Sequence, residues 1–415
     1  METTSLVNLS PILHVMLLGA MVACGPLAWW WLQHKGANSQ DQRIKRLQAL
    51  TLFTLFLTFD LILFGAFTRL TDSGLGCPDW PGCYGSATPF GAKTQVDAAQ
   101  SAMPTGAVTT TKAWIEMLHR YLATSVGVLI LTLTAHSWWT RYQTRRSRAQ
   151  AQQKVRELSQ FRPKAHLQIN PWWPTASLVW VCVVGAFGAL TVTLKLFPAI
   201  VTLHLLGALL LLVMLTRQAA HYDAATSEAS AVAVPKRLRQ VLIATFALLW
   251  LQIALGGWVS TNYAVLACNT FPACQNSWWP VMDFAAGFTL WRELGLTSAG
   301  EFISFAALTA IHYTHRLTAY VVFIALGYTA WQLSKVGARN KVAALKRYSN
   351  WLIALALWQF FTGVTNAVMG WPLFAALAHT AGAAGLVMVM MWLLCRTTAD
   401  STLNFALQHR PLLKP

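Results

Sequence analysis

The sequence predicts an all-α integral membrane protein, built as two pseudo-symmetric four-helix bundles plus one additional N-terminal transmembrane helix. Three observations predict it. The chain has 415 residues, of which 55% are hydrophobic and only 11% charged, and its mean hydropathy is +0.46, so little of it suits a water-facing surface and no soluble domain is expected. Nine apolar runs can each cross a bilayer, at about 12–32, 48–69, 117–138, 175–194, 199–216, 240–260, 306–332, 350–369 and 374–396. The eight runs after the first fall into two halves that match in residue type and in spacing.

The match is clearest at the end of the second run. FGAFTRLTDSGLGCPDWPGC at 64–83 aligns with LGGWVSTNYAVLACNTFPAC at 255–274: Gly65 to Cys77 and Gly256 to Cys268 are both twelve residues, and each cysteine pair is six apart with a proline two before the second. A helix with a His-Arg pair follows in both halves, WIEMLHRY at 114–121 and IHYTHRLTAY at 311–320. Then come an apolar span, a proline and a helix with a lone histidine. Gly188, Pro198 and His204 match Gly363, Pro372 and His379, with sixteen residues from glycine to histidine in both. The expected division is 1–47 as the extra helix and a linker, 48–217 as the first half, 218–239 as a second linker, 240–396 as the second half and 397–415 as a tail.

The net charge of +17 raises nucleic acid as a partner, but its distribution argues otherwise. Lys and Arg crowd into alternate loops, from Lys35 to Arg46, Arg141 to Lys164, Lys236 to Arg239 and Lys335 to Arg347. By the positive-inside rule these loops and the C-terminus are cytoplasmic, and the N-terminus and the loops at 70–113 and 261–304 are periplasmic. The basic balance therefore reflects orientation, not nucleic-acid binding. METTSLVNLS carries no Lys or Arg, unlike a transit peptide or the charged start of a signal peptide, so the first span reads as retained in a bacterial inner membrane.

Ionisable side chains just inside a membrane are expensive and mark function. Glu116 and His119 are three residues apart and share a helix face; the second half has His312 where the first has Glu116. His119 and His204 are expected at similar depth on facing helices, as are His315 and His379. Two imidazoles facing across a bundle suit the two axial positions of a haem iron. A lone intramembrane histidine is more often a packed residue, but four in duplicated positions favour haem. Arg69, Arg120 and Arg316 are candidates for haem propionates or site support, and His312 for tuning the second haem, lining a proton path or a structural role. His14, His34, His136, His166, His221 and His409 take the bland reading. Cys77, Cys83, Cys268 and Cys274 fall in outside loops where disulfides form, with zinc the competing reading. Cys24, Cys182 and Cys395 read as small buried hydrophobes, and the paired tryptophans flanking the spans as an interfacial belt.

The GCPDWPGC loop, the Glu116-x-x-His119-Arg120 helix, the His315-Arg316 pair and the Pro-preceded His204 and His379 resemble the heme A synthase family over 48–396, the first span being a departure from its eight-helix pattern. The resemblance implies oxidation of a methyl group of haem O to the formyl group of haem A, used by haem-copper oxidases. It implies that His119 and His204 bracket the substrate haem, that His315 and His379 ligate a permanent haem b, and that Glu116 is the catalytic carboxylate. It also implies membrane lipid, haem O synthase, oxidase assembly factors and an electron donor or acceptor such as a quinone as partners. The competing readings are a diheme cytochrome b and a haem transporter or assembly factor, against which a carboxylate in only one half discriminates weakly.

Overall fold

The computed structural model describes residues 10–33, 39–155, 169–227 and 231–400. In chain order it has α1 (Ser10–Gln33), α2 (Gln40–Leu70), α3 (Lys93–Ala102), α4 (Thr110–Val155), α5 (Trp172–Thr193), α6 (Pro198–Thr226), β1 (Val232–Pro235), α7 (Lys236–Thr261), α8 (Phe284–Gly287), α9 (Phe305–Arg339), α10 (Ala343–Val368), α11 (Leu373–Arg396) and β2 (Thr397–Asp400). Nine of the described helices are long and apolar enough to span a membrane, in the places the apolar runs predict. The protein is an all-α integral membrane protein.

Local chemistry sets the helix ends. Ser39 opens α2 with a capping box, its hydroxyl accepting from Gln42 N at 3.2 Å while Gln42 Oε1 accepts from Ser39 N at 3.0 Å. α6 begins on Pro198 and α11 directly after Pro372, where a fixed φ suits a first turn and no helical N–H is lost. α4 continues well past its apolar run, to Val155, because the basic stretch that follows is rich in Arg, Ala and Gln, which are good helix formers.

α2, α4, α5 and α6 pack as a ring, each helix against two neighbours, and α7, α9, α10 and α11 form a second ring. The rings meet where α6 lies against α7 and α11, and α2 against α11. α1 stands outside both and packs along α4. The segments expected as linker and tail contribute a short ladder instead: β1 and β2 pair in parallel, from Val232 with Thr397 to Pro235 with Asp400. Arg239 locks it by donating to the carbonyls of Leu394 at 3.0 Å and Thr397 at 2.5 Å. The expected tail beyond 400, most of the basic loop after Val155, and His34, His166 and His409 lie outside the described residues.

The two ends of the rings differ in packing. Toward the end opposite the cysteine loops, Leu47, Leu50, Leu129, Leu133, Leu212, Leu215, Leu242, Leu326 and Leu333 are fully or almost fully buried in one continuous core. Toward the cysteine-loop end, glycine and histidine replace leucine. There α2, α5, α7 and α10 repeat one device: seven residues after Gly65, Gly188, Gly256 and Gly363 stands a left-handed residue, Asp72 (φ 50°), Lys195 (φ 50°), Tyr263 (φ 54°) and Gly370 (φ 71°). The conformation costs an L-residue about 1–2 kcal/mol, which only Gly370 avoids. Each such turn ends a glycine-bearing helix.

Two cysteine expectations are corrected. Cys24 and Cys182 are exposed, and Cys395 is intermediate; along α1 and α5 the apolar surroundings of a thiol are the lipid side of the fold and not its core. Of the tryptophans expected to form a belt, Trp29, Trp31, Trp138, Trp139, Trp172, Trp278 and Trp279 are exposed, and Trp173 is half-buried. Trp30 is buried, with its indole N–H on the Arg46 carbonyl at 3.0 Å and the Arg46 guanidinium 4.4 Å from its ring centroid.

Candidate functional site

Each of the four duplicated histidines lies against one of the four repeated glycines. A Cβ placed on Gly65 would come within 3.0 Å of His119 Nε2, on Gly188 within 3.1 Å of His204 Cε1, on Gly256 within 2.9 Å of His315 Cε1, and on Gly363 within 3.3 Å of His379 Cε1. Glycine at these points lets an imidazole lie flat against the next helix. His119 on α4 and His204 on α6 stand on opposite helices of the first ring, and His315 on α9 and His379 on α11 on opposite helices of the second. All four rings are half-buried, so none is sealed into packing.

The ring nitrogens are held differently. His204 Nδ1 lies 3.0 Å from the Val184 carbonyl and so carries its proton there. Thr362 Oγ1 donates to the Trp358 carbonyl at 2.7 Å, so it accepts from His379 Nδ1 at 3.0 Å. In both, Nε2 is left with its lone pair, the tautomer a metal ligand needs. The Gln252 amide donates to the His315 carbonyl at 3.1 Å and faces Nδ1 at 3.0 Å. The His119 ring makes no hydrogen bond among the described residues; it is stacked at 7° against Phe64, 6.3 Å between centroids. Val184, Gln252, Phe64 and Thr362 escaped the sequence reading, although a glutamine inside the apolar run WLQIALGGW was a visible signal.

Glu116 is buried, 4% exposed, and both its oxygens are engaged. Oε2 accepts from the backbone N–H of Cys77 at 2.8 Å, and Oε1 pairs with Arg120 one turn on. Arg120 also donates to the carbonyls of Asp79 at 3.0 Å, Pro81 at 3.1 Å and Gly82 at 2.6 Å. The second half repeats the anchor without the acid. Arg316 donates to the carbonyls of Thr270, Pro272 and Ala273, and to that of Cys268 at 2.9 Å. His312 turns aside, its Nδ1 3.1 Å from the Ala264 carbonyl. Both arginines therefore support the loops with their guanidinium groups. Arg69 ties the halves together: it donates to the Ser260 carbonyl at 2.7 Å, reaches Asp72 at 3.4 Å and lies 3.8 Å from the centroid of the Tyr263 ring.

The cysteines pair within their loops, Cys77 with Cys83 and Cys268 with Cys274, which uses their thiols and takes away the donors a zinc site would need. Among the described residues no group of three or more His, Cys, Asp or Glu is placed to hold a bare metal ion. Of the other described histidines, His14 lies beside Ser10 Oγ at 3.2 Å and His136 is edge-on to Trp30.

The donor set fits a haem iron in each half: imidazoles on opposite helices of each ring, glycine cradles that a Cβ would fill, and, at His204 and His379, an acceptor for the Nδ1 proton that leaves Nε2 with its lone pair. The tightest cradle gives a test. Gly256→Ala is expected to turn the His315 ring and lower haem content by about twofold or more, with Gly363→Ala milder because its contact is longer. Haem-to-protein ratios and circular dichroism check this; equal haem in wild type and both variants would contradict it.

A model of the family described as cytochrome oxidase assembly protein matches residues 48–391, leaving α1 outside. The chain is 33% identical over 360 residues to a heme A synthase of Shewanella oneidensis, covering 86% of this chain and 95% of that one. It is 28% identical to a heme A synthase of Methylobacterium nodulans over 78% of this chain and 84% of that one. For one of Halalkalibacterium halodurans the identity is 23%, over 81% and 90% of the two chains. Likeness of this extent, over both rings and all four histidines, means that the chain belongs to the heme A synthase family of cytochrome oxidase assembly proteins.

Proposed function

We propose that this chain is a heme A synthase of a bacterial cytoplasmic membrane, with the cysteine loops on the periplasmic side and the basic loops inside. The observation that carries the reading is the duplicated imidazole pair, cradled by glycines in both rings, in a chain of this family. His119 and His204 bracket the substrate haem O, and His315 and His379 hold haem b. When bound, haem b supplies a one-electron redox centre beside the substrate half.

The chain's own residues position and protect. The leucine core closes the far end of both rings, and the disulfide loops, held by Arg120 and Arg316, cover the near end. Glu116 is the acid that only the first half has, next to the substrate ligand, and it is assigned the handling of protons as the methyl group is oxidised. The test is haem extracted from cells supplied with haem O synthase, with and without this chain. Haem A is expected only when the chain is present; haem O alone in both would return the electron-transfer and carrier readings.

A further inference from the structure

α1 stands outside the repeat and packs along α4, whereas α9, the counterpart of α4, has no membrane-spanning helix packed along it besides its ring neighbours, among the described residues. α1 is held to α4 at Gly19, whose carbonyl accepts from Ser125 Oγ at 2.8 Å. It meets α2 toward its other end, where the Trp29 and Phe53 ring centroids lie 6.4 Å apart. Between these two contacts is a cavity of about 190 Å³. Its walls run from Phe64 to Leu57 on α2 and from Leu122 to Leu129 on α4, with Ala23 and Pro26 closing it from α1. Seven residues of helix make it about 10 Å long. The lining is almost wholly apolar, and Asp60, the one charged residue on it, is exposed.

One end of the cavity borders the ligand assigned to the substrate. Phe64, which lines it, is stacked at 7° on the His119 ring, and the next residue, Gly65, is the His119 cradle. On α4 the wall continues a stripe that begins at the same ligand: positions 119, 122, 126 and 129 are three, four and three apart and so share one side of the helix. Ser125, the one hydroxyl on the lining, is already bonded to the Gly19 and Tyr121 carbonyls, both at 2.8 Å. Val22, on the α1 wall, is 50% exposed, which gives the cleft an edge at the lipid.

Haem O differs from protohaem by a chain of three isoprene units at one edge of the macrocycle. A ring seated between His119 and His204 must place that chain somewhere. A narrow apolar cleft that starts at the ligand suits it, whereas a charged or hydroxylated head would find no free partner inside. We infer that the α1–α2–α4 cleft receives the isoprenoid chain of the substrate haem. The inference rests on the heme A synthase reading for the identity of the substrate and deepens it. Lipid is as apolar as the cleft, so moving the chain from one to the other contributes little by itself. What the cleft supplies is orientation. Two axial imidazoles leave the macrocycle free to turn about the axis through its iron, and a chain lodged on one side fixes which methyl group comes round to Glu116. The asymmetry of the fold agrees: the half assigned a haem without such a chain has no helix in the place of α1 among the described residues.

The experiment uses the purified full chain in nanodiscs, with haem b in its second half, titrated with haem O and with protohaem and followed by the Soret difference. Leu57→Trp, which fills the far end of the cleft, is expected to weaken haem O binding about tenfold, while protohaem, with the same iron and ring but no chain, binds within about twofold of wild type. A haem O analogue with a diazirine at the far end of its chain is expected to label α1, α2 or α4 of the wild-type chain. Unchanged haem O affinity in Leu57→Trp overturns the proposal. So does an equal loss for both haems in Leu57→Trp and in the smaller Leu57→Phe, which would mark the cleft as packing alone. Labelling confined to phospholipid, or to the groove beside Trp358 and Phe374 of α10 and α11, overturns it as well. The functional reading fails separately, as absence of haem A in cells that carry the wild-type chain.

Discussion

Glu116→Gln is expected to lower the ratio of haem A to haem O in cells by about 100-fold or more, the range set by loss of a proton-transfer group. Haem O should stay bound, because glutamine keeps the size of the side chain and an oxygen for the Cys77 N–H, while His119 is untouched. The contacts of Glu116 add a control. Its carboxylate also neutralises Arg120, and breaking a buried ion pair by removing one partner costs about 3–5 kcal/mol. If that anchor were its whole role, haem A would fall only in step with thermal stability and with exposure of the Cys77–Cys83 loop. A stable, haem-O-loaded Gln variant without haem A supports catalysis; near-normal haem A sinks the assignment. His119→Ala should differ, weakening retention of haem O itself.

His315→Ala and His379→Ala are each expected to abolish the low-spin b-type absorption of the purified protein, since two trans imidazoles produce that state and loss of either opens an axial position. The same changes at His119 or His204 should leave it in place. Haem content and the reduced-minus-oxidised spectrum of the four variants decide it. Unchanged spectra in both second-half variants would remove the haem b site.

Much of this molecule was legible in one dimension. The spans are long apolar runs, and the histidines announce themselves by equal spacing from Gly188 and Gly363 to His204 and His379. The i, i+4 separation of Glu116 and Arg120 allows the ion pair they form, although the sequence reading gave Glu116 a catalytic part and Arg120 a propionate or supporting one. What could not be read depends on contacts between distant segments. The pairing of Val232 with Thr397 has no local pattern, being a four-residue ladder between chain ends of two helices. That Cys24 and Cys182 face outward depends on which side of α1 and α5 is covered. Arg120 and Arg316 read as candidates for propionates or for support, and only the positions of the loop carbonyls show which groups they meet. Asp60 stood in plain view as an acid inside an apolar run, yet its neighbours become apparent only once α1 is laid against α4.

The unequal hold on the four imidazoles, His119 alone lacking a hydrogen bond among the described residues, bears on turnover. A ligand whose Nδ1 is fixed by a neighbour sits in one orientation and holds its metal for long periods, as a resident group requires; loss of such partners typically costs 10–100-fold in metal affinity. His119 has no hydrogen bond among the described residues and rests against the Phe64 ring and Gly65. Under the proposed division of labour it serves the half that must release its product, so the lightest hold falls where exchange is needed.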